Sequence, residues 1–478
     1  MNRFPNNFMW GASTSAYQFE GAAHLDGKKS SQQDIINKLN EEKYGFANAE
    51  ITSDHYHHFK EDVKLMKEMG LNAYRFSISW PRVLPDGTGK VNEKGLQFYN
   101  DLIDELIRNK IEPIVTLYHY DCPYELVKKY GGWLNRQIIY DFEEYCRLVI
   151  HAFKDKVKYW TTINEQGIIV QFWTKKCLID EKDQKNDQLR YQINHHMNLA
   201  HAIACNLVHE LVPGGLVGPV TGYSPVYPAS NRPEDVLAAM NAHDLRNTFY
   251  LDIWFKGQYH KAAMTYLEKQ GLAPKIKEGD MELIQKSKSD FLAINYYRSD
   301  CACASQDTDQ LRFMGINLTG EKGKIDGYET HPGFYKMCKN DKLETTQWDW
   351  AIDPTGLEYL LRDIYTRYQM PLIITENGIG ARDILTDDFK IHDDYRIDYM
   401  REHIRHIRNA IDYGVEVLGY CPWSAFDVLS TTNGYEKRYG LIYVDRTNQD
   451  IKECKRYRKD SSYWYEKIIK SKGELLDE

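Results

Sequence analysis

The sequence lacks long hydrophobic runs and blocks of like charge. No stretch approaches the roughly 20 apolar residues that a membrane-spanning helix needs, and Pro5 and its neighbouring asparagines interrupt any apolar segment at the amino terminus. The 61 Lys and Arg residues face 69 Asp and Glu residues without forming a basic stripe, so the charge pattern of a nucleic-acid-binding protein is absent. We therefore expect a cytoplasmic protein with neither a membrane nor a nucleic-acid partner.

Cysteine is scarce and odd in number, with nine residues in a chain of 478. Such usage favours reduced thiols. A metal site is the alternative: Cys301 and Cys303 form a CxC pair, and histidines cluster at 55–58 and again near His195 and His201. No second cysteine pair or matching carboxylate completes a ligand set. We expect no metal and no cofactor.

Short apolar runs alternate with helical patterns along the whole chain. Near-continuous apolar strands between helices are typical of a parallel sheet covered on both faces. The sequence predicts a (β/α)₈ TIM barrel; a doubly wound sheet is the alternative, but no Gly-rich phosphate loop follows an early strand. The predicted strands are residues 8–13, 73–80, 112–119, 157–164, 216–223, 290–297, 371–376 and 415–423, and the clearest predicted helices are 54–69, 93–109 and 394–412.

Two long segments, about 224–247 and 302–349, are polar and irregular, and we interpret them as insertions that shape a pocket. The chain contains no repeat or low-complexity tract. Barrels of this class run from roughly 200 to over 400 residues as one unit. We therefore expect residues 1–478 to form a single domain with long βα-loop insertions; a homo-oligomer is an open alternative to a monomer.

Two predicted strands end in glutamate beside asparagine: Asn164 and Glu165 in TTINEQ, and Glu376 and Asn377 in ITENG. In a barrel the side chains at the carboxyl ends of strands carry the chemistry. A carboxylate pair across one pocket can break a glycosidic bond, since one group protonates the leaving oxygen and the other attacks or activates water. Either glutamate alone could instead cap the following helix.

Six segments resemble, in order, the signatures of glycoside hydrolase family 1: FPNNFMWGASTSAYQFEGA, YRFSISWPRVLP, IEPIVTLYH, YWTTINEQ, INYY and LIITENG. The resemblance covers about residues 4–464. It implies a retaining β-glycosidase with Glu165 as acid/base and Glu376 as nucleophile. Arg75 and Tyr297 occupy the family positions that contact the nucleophile, which must be ionised. Retention requires the two carboxyl groups to lie roughly 5–5.5 Å apart.

The same resemblance implies a set of side chains that face the sugar. Asn164 is placed to bind the 2-hydroxyl, and Trp423 offers a flat apolar wall of the kind on which pyranose C–H faces pack. The other members of the set are polar: Gln18, His119 and Asn295.

The segment WSAFDVLSTTNGYEKRYGLIYVD departs from the common β-glucosidases of the family. Those enzymes have a glutamate that binds the 4- and 6-hydroxyls, whereas this chain has Ser430, followed by Lys437 and Tyr439. The Ser-(x)₆-Lys-x-Tyr arrangement resembles the phosphate pocket of the 6-phospho-β-glycosidases. A glutamate about 4 Å from a phosphate would cost on the order of 4 kcal/mol, whereas a charge-assisted bond from Lys437 contributes roughly 1.5–3 kcal/mol.

The resemblance therefore implies a 6-phospho-β-glucosidase for small phosphorylated disaccharides such as cellobiose 6-phosphate, or for aryl β-glucoside 6-phosphates. Thr431 stands where the 6-phospho-β-galactosidases typically have tryptophan, which favours glucosides but leaves dual activity open. A β-glucosidase for unphosphorylated sugars and a non-catalytic sugar-phosphate-binding protein are the alternatives. Tyr120 and Gln33 replace usual tryptophans, so the aglycone side departs from the family pattern.

Overall fold

The structure, a computed structural model, describes residues 3–47 and 49–477, with the backbone alone for residues 173–176. Eight parallel strands form its central sheet. In chain order they are β1 (Met9–Trp10), β2 (Ala73–Ser77), β3 (Glu112–Tyr118), β4 (Tyr159–Asn164), β5 (Leu216–Gly222), β6 (Leu292–Tyr296), β7 (Leu372–Asn377) and β8 (Val417–Tyr420). Each lies at one of the predicted positions, and β1 is shorter than expected.

The strands β2 to β8 pair with their neighbours in chain order, and β1 pairs with β8. Ser13, just past β1, forms parallel bridges with Arg75 in β2 and with Trp423 past β8. The Arg75 N–H donates to the Ala12 carbonyl at 3.0 Å across the same junction. The predicted (β/α)₈ barrel is confirmed, and the doubly wound alternative is wrong.

Amphipathic helices cover the outside of the sheet. In the helix Glu93–Arg108, for example, Tyr99, Leu102 and Leu106 recur at helical spacing and are all buried, whereas the opposite face is polar. The helix ends at Asn109, next to the start of β3. The apolar stripe therefore holds the helix against the barrel.

The three predicted helices are confirmed, and no end differs by more than one residue. The helices are Ala16–Phe19, Gln32–Tyr44, His55–Glu68, Trp80–Val83, Glu93–Arg108, Tyr124–Tyr130, Gln137–Phe153, Gln166–Lys176, Glu181–Gln184, Gln188–Leu211, Pro233–His243, Phe249–Phe255, Lys261–Lys269, Asp280–Lys286, Pro354–Tyr368, Asp394–Asp412 and Asp460–Lys470. A π-helical segment, Asp244–Thr248, and two short 3₁₀ turns, Gly132–Leu134 and Glu474–Asp477, complete the set.

A small apolar cluster fills the interior of the barrel below the layer of polar side chains. Ala73 and Ile114 belong to this cluster, which is separate from the main core between sheet and helices. Residues two apart on a strand share a face, so Arg75 lies above Ala73, and Thr116 lies above Ile114, on the inner surface. The apolar cluster therefore forms a floor, and polar side chains begin one layer above it.

The first insertion is more ordered than the sequence suggested, whereas residues 302–349 contain only short strands between irregular stretches, as expected. Val226–Pro228, Asp300–Cys303, Tyr335–Cys338 and Thr330–His331 form a four-stranded sheet in that order, and Pro233–His243 is a helix. Polar composition hid these strands because they are only two to four residues long. Both insertions nevertheless supply cavity-lining residues, including Asn247 and Trp348.

None of the helices in the described part of the chain combines the length and the apolar character needed to cross a bilayer.

Candidate active site

A cavity of about 480 Å³ opens at the carboxyl ends of the barrel strands, where such barrels carry their chemistry. Two side chains proposed from the sequence, Arg75 and Asn164, lie buried beneath it and hydrogen-bond to carboxylates that face it. The other ten line the cavity itself: Gln18, His119, Glu165, Asn295, Tyr297, Glu376, Trp423, Ser430, Lys437 and Tyr439. The structure thus brings the whole proposed set together.

Glu376 lies near the end of β7 and is buried. The Arg75 guanidinium donates from Nη1 to Glu376 Oε1 at 2.5 Å, and the Tyr297 hydroxyl donates to Oε2 at 2.7 Å. Each carboxylate oxygen therefore has a donor, one of them cationic. Hydrogen bonds of this kind stabilise the ionised form.

Burial, opposed by the Arg75 guanidinium and reinforced by the charge of Glu165, raises the pKa of Glu376 to about 7. Two interacting carboxyl groups lose their protons in steps that belong to the pair. The step near pH 7 is therefore the loss of a proton that the two groups share. With one proton bound, the negative charge is most stable on Glu376, because Arg75 contacts that carboxylate directly.

Glu165 follows β4 and adopts a left-handed φ of +42°, a backbone conformation that a residue with a side chain keeps only when its surroundings enforce it. The Glu165 N–H donates to the Val220 carbonyl of β5 at 3.0 Å. The buried amide of Gln166 donates to two asparagines of the helix Gln188–Leu211 at 2.8 and 2.6 Å. These bonds fix the backbone that carries Glu165 at the cavity wall.

A chain of hydrogen bonds joins the two carboxylates. Arg75, which contacts Glu376, also donates from Nη2 to Asn164 Oδ1 at 2.6 Å. Asn164 in turn donates from Nδ2 to Glu165 Oε2 at 3.2 Å, and the Tyr120 hydroxyl donates to the same oxygen at 2.8 Å. The two glutamates are thus held in one cavity by shared partners.

The remaining proposed sugar-facing residues form one continuous wall. The rings of His119 and Trp423 stack with centroids 6.0 Å apart and an interplanar angle of 24°. Asn295 donates to Asn164 Oδ1 at 3.2 Å. Gln18 donates from Nε2 to the Leu429 backbone carbonyl at 2.8 Å. Leu429 directly precedes Ser430, so this bond connects the proposed sugar-facing residues to the loop that begins at Ser430.

The loop from Ser430 closes by reciprocal backbone bonds with Gly434, each 3.1 Å long. Lys437 and Arg438 are both buried, with exposed fractions of 3% and 4%. Arg438 donates to Asp427 at 2.7 Å and to neighbouring backbone carbonyls. It anchors the loop and leaves Lys437 to face the cavity.

The Lys437 ammonium is surrounded by aromatic rings, with Nζ 3.8 Å from the ring centroid of Trp350 and 4.9 Å from that of Trp348. Within residues 3–47 and 49–477, no carboxylate forms an ion pair with it. Burial, helped by the nearby charge of Arg298, lowers the pKa of Lys437 well below its usual value. A negatively charged ligand beside this ammonium would reverse that shift.

Glycine allows Lys437 to reach the cavity. A Cβ placed at Gly380 would lie 2.6 Å from Lys437 Cε and 2.9 Å from Tyr439 Cζ, closer than side chains pack. The lysine stem and the Tyr439 ring therefore pass directly over the backbone that follows β7, which brings them near Glu376.

Sequence reasoning missed Arg298, Trp348 and Trp350, all of which line the cavity. Arg298 directly follows Tyr297 and pairs with Asp300 at 3.3 Å. The two tryptophans lie in the 302–349 insertion or just after it, where no motif marked them. A usable signal was the close spacing of two large aromatics in TQWDWAIDP, a segment otherwise polar.

The suspected metal ligands have other partners. His55 pairs with Asp62 at 2.7 Å, and His195 pairs with Asp280 at 2.9 Å. Cys301 faces Cys338 across two antiparallel strands, and all nine cysteines are free thiols. Among the residues that the structure describes, no group of three or more His, Cys, Asp or Glu side chains could hold a metal ion.

An eight-stranded barrel with two opposed glutamates at the ends of β4 and β7 defines the protein as a glycoside hydrolase. Its sequence matches the profile described as Glycosyl hydrolase family 1 over residues 1–474. The chain belongs to this family.

Several characterised proteins are similar over nearly their full length. Aryl-phospho-beta-D-glucosidase BglC of Bacillus subtilis is 48% identical, with 99% of this chain and 98% of that protein covered. A 6-phospho-beta-galactosidase of Clostridium acetobutylicum is 40% identical, with 100% and 99% covered. A solved family 1 β-glucosidase from Thermotoga maritima has a TM-score of 0.86 and 33% identity, with 99% of both chains covered.

Proposed function

We propose that the protein hydrolyses the β-glycosidic bond of 6-phospho-β-glucosides with retention of configuration at the anomeric carbon. The carrying observation is the buried Lys437 ammonium, which faces the cavity among aromatic rings without a carboxylate partner in the described residues. The names of similar proteins, such as BglC and the 6-phospho-beta-glucosidase AscB of Escherichia coli, support a phosphorylated substrate.

In the first step Glu376 attacks the anomeric carbon while Glu165 gives its proton to the leaving oxygen, and a glycosyl ester forms on Glu376. The donors to Glu376 support the nucleophile role, because Arg75 and Tyr297 favour the ionised form of that carboxylate and fix its orientation. Placement of the substrate beside both groups contributes to the rate.

In the second step esterification has removed the negative charge of Glu376, so Glu165 can remain ionised and deprotonate the incoming water. Water then replaces Glu376 at the anomeric carbon from the face that the aglycone left. Two displacements restore the original configuration. No cofactor is required for either step.

The 6-phosphate is proposed to lie against Ser430, Lys437 and Tyr439. These three side chains line one end of the cavity, and none of them is anionic at neutral pH. Arg298 adds a second cation near Lys437, so the dianionic form of a phosphate group is well matched. Charge-assisted bonds give this pocket its preference for phosphorylated sugars.

Apolar side chains in the cavity lining suit an apolar aglycone. They include Ile36, Tyr44, Phe46, Ile168 and Phe172. An aryl group packs on such a surface with little loss of hydrogen bonds. We therefore place aryl β-glucoside 6-phosphates among the substrates, with small phosphorylated disaccharides such as cellobiose 6-phosphate.

The direct test compares p-nitrophenyl β-glucoside 6-phosphate with the unphosphorylated compound. We expect kcat/KM to be at least about 100-fold higher on the phosphate. Replacement of Lys437 by Met keeps the packing against Trp350 but removes the charge, so it should raise KM for the phosphate with a small change in kcat. Comparable rates on both substrates in the wild type would contradict the proposal and favour a β-glucosidase for neutral sugars.

p-Nitrophenyl β-galactoside 6-phosphate is the third substrate to compare in this assay. The similar 6-phospho-beta-galactosidase makes dual activity a specific alternative. Thr431 lines the cavity beside Ser430 and offers no large ring to an axial 4-hydroxyl, so the glucoside is expected to be preferred. Equal kcat/KM on both 6-phosphates would show dual activity instead.

We expect the catalytic activity to fall on the alkaline side of its pH profile, with the fall centred at about pH 7. The raised pKa of Glu376, about 7, marks the loss of the pair's last proton. Above it both carboxylates are ionised and the leaving oxygen receives no proton, so activity is present below about pH 7 and lost above it. The measurement is kcat against pH at saturating substrate, because titration of the substrate phosphate at about pH 6 affects binding.

Glu165→Gln is the control for this profile. Since the variant has no ionisable acid opposite Glu376, its residual activity on p-nitrophenyl β-glucoside 6-phosphate should lack the alkaline limb that the wild type shows on the same substrate. An unchanged limb in Glu165→Gln would show that another group controls the profile.

We also infer that residues 1–478 form one catalytic domain in the cytoplasm, although residues 1, 2, 48 and 478 lie outside the described part. The main apolar core includes both Phe4 and Leu476. The free cysteines are typical of a reducing compartment.

A further inference from the structure

We propose that Tyr120 is a positioning residue that selects which oxygen of Glu165 carries the transferable proton and stabilises Glu165 when it acts as base. The inference rests on the proposed function, because it concerns the acid/base of that reaction. It assigns a role to a position at which the sequence departs from the family tryptophan.

The hydrogen bonds at Glu165 are unequal. Tyr120 and Asn164 both donate to Oε2, at 2.8 and 3.2 Å. Oε1 accepts no hydrogen bond from the described residues and faces Gly222, where a Cβ would come within 2.8 Å. A proton on Oε2 would meet two donor hydrogens, so the acid form carries its proton on Oε1.

Tyr120 is held firmly in the geometry that this role requires. Its side chain is buried, its φ is +71°, and its ring packs edge-on to His119 with centroids 5.0 Å apart. Burial, followed by the charge of Glu165, raises the pKa of Tyr120 well above its usual value. The phenol therefore keeps its proton and remains a donor across the neutral range.

The donated bond serves both steps of the reaction. In the acid form the Oε2 carbonyl accepts from Tyr120, which turns Oε1 and its proton toward the leaving oxygen. In the base form the same bond is charge-assisted and stabilises the carboxylate. Phenylalanine at this position has no donor, and tryptophan has an indole N–H in place of the hydroxyl.

Other titratable groups also face Glu165. Glu376 interacts with it across the cavity, and the phenols of Tyr17 and Tyr297 lie within its field from the helix Ala16–Phe19 and from the end of β6. His119 contacts the Asn164 amide at 3.3 Å. Among the described contacts, Tyr120 is the titratable side chain that hydrogen-bonds directly to Glu165, and this distinguishes it from the others.

The test is Tyr120→Phe, assayed with leaving groups of different quality. For methyl β-glucoside 6-phosphate, which needs a proton, kcat/KM should fall by about tenfold or more, whereas the 2,4-dinitrophenyl substrate should lose less than about threefold. The pH at which the activity of Tyr120→Phe falls on the alkaline side should be higher than in the wild type by about one unit, because the Glu165 carboxylate has lost a hydrogen-bond donor.

Tyr17→Phe is the matched control, because the Tyr17 hydroxyl lies buried in the same cavity and has no hydrogen-bond partner among the described residues. This variant should leave the alkaline limb and the leaving-group dependence where they are. An equal loss on both substrates with an unmoved limb in Tyr120→Phe would overturn the proposal and indicate packing alone.

Incorporation of 3-fluorotyrosine at position 120 keeps the side-chain shape and strengthens the donor, so it should move the alkaline limb to lower pH. This measurement stands if Tyr120→Phe is too unstable to assay, and an unmoved limb would again overturn the proposal. Failure of the proposed function gives a different result from failure of this inference. If the proposed function is wrong, the wild type shows no preference for the phosphorylated substrate, or Glu165→Gln depends on the leaving group in the same way as the wild type.

Discussion

Glu376→Gln is expected to lose at least about 10⁴-fold in kcat, because it removes the group that forms the covalent intermediate. The amide has nearly the same shape, and the Tyr297 hydroxyl can still donate to its oxygen. Hydrolysis of p-nitrophenyl β-glucoside 6-phosphate under saturating conditions measures the loss. The variant should also unfold at lower temperature than the wild type, since the buried Arg75 guanidinium loses its counter-charge.

Glu376→Ala with added azide distinguishes the nucleophile from a merely structural glutamate. Azide can enter the space that the side chain leaves and attack the anomeric carbon from that side, with the aglycone as leaving group. The product should be the α-glycosyl azide, identified by its anomeric proton coupling in NMR. In Glu165→Ala, azide attacks the glycosyl ester from the opposite side and gives the β-azide. Formation of the β-azide by Glu376→Ala would show that Glu376 is the acid/base and Glu165 the nucleophile.

The barrel and its polar strand ends were predictable because their causes are local in sequence. Strands such as β3 and β7 contain short apolar runs, and such runs between helices are typical of a covered parallel sheet. Glu165 and Glu376 follow such runs directly. Since the carboxyl ends of all barrel strands meet on one rim, position in the strand was sufficient to place both side chains in one cavity.

The contacts made by inserted segments were not predictable in the same way. Trp350 reaches Lys437 only because the chain after β6 folds into a separate sheet and returns across the cavity. The hydrogen bond from Tyr120 to Glu165 depends on a left-handed backbone at both residues, which no spacing encodes. The sequence marked Tyr120 only as a departure and suggested the aglycone side, whereas the structure places its hydroxyl on Glu165.

Ser430→Glu is expected to lower kcat/KM on p-nitrophenyl β-glucoside 6-phosphate by about a thousandfold. A carboxylate about 4 Å from the phosphate costs on the order of 4 kcal/mol at an effective dielectric of 20, and each 1.36 kcal/mol is about tenfold in rate. The new carboxylate would also pair with Lys437 and remove the free cation of the pocket. On the unphosphorylated glucoside kcat/KM should rise, because the carboxylate can accept hydrogen bonds from the 4- and 6-hydroxyls.

Ser430→Gln separates charge from size in this experiment, since the amide fills the same space without repelling the phosphate. It should lose far less than Ser430→Glu on the phosphorylated substrate. Equal losses in the two variants would show that Ser430 is needed for its small volume, and a Ser430→Glu variant that still prefers the phosphate would place the 6-phosphate elsewhere in the cavity. The expected reversal requires the anion to lie between Ser430 and Lys437, and this links the specificity of the enzyme to the loop that Arg438 anchors.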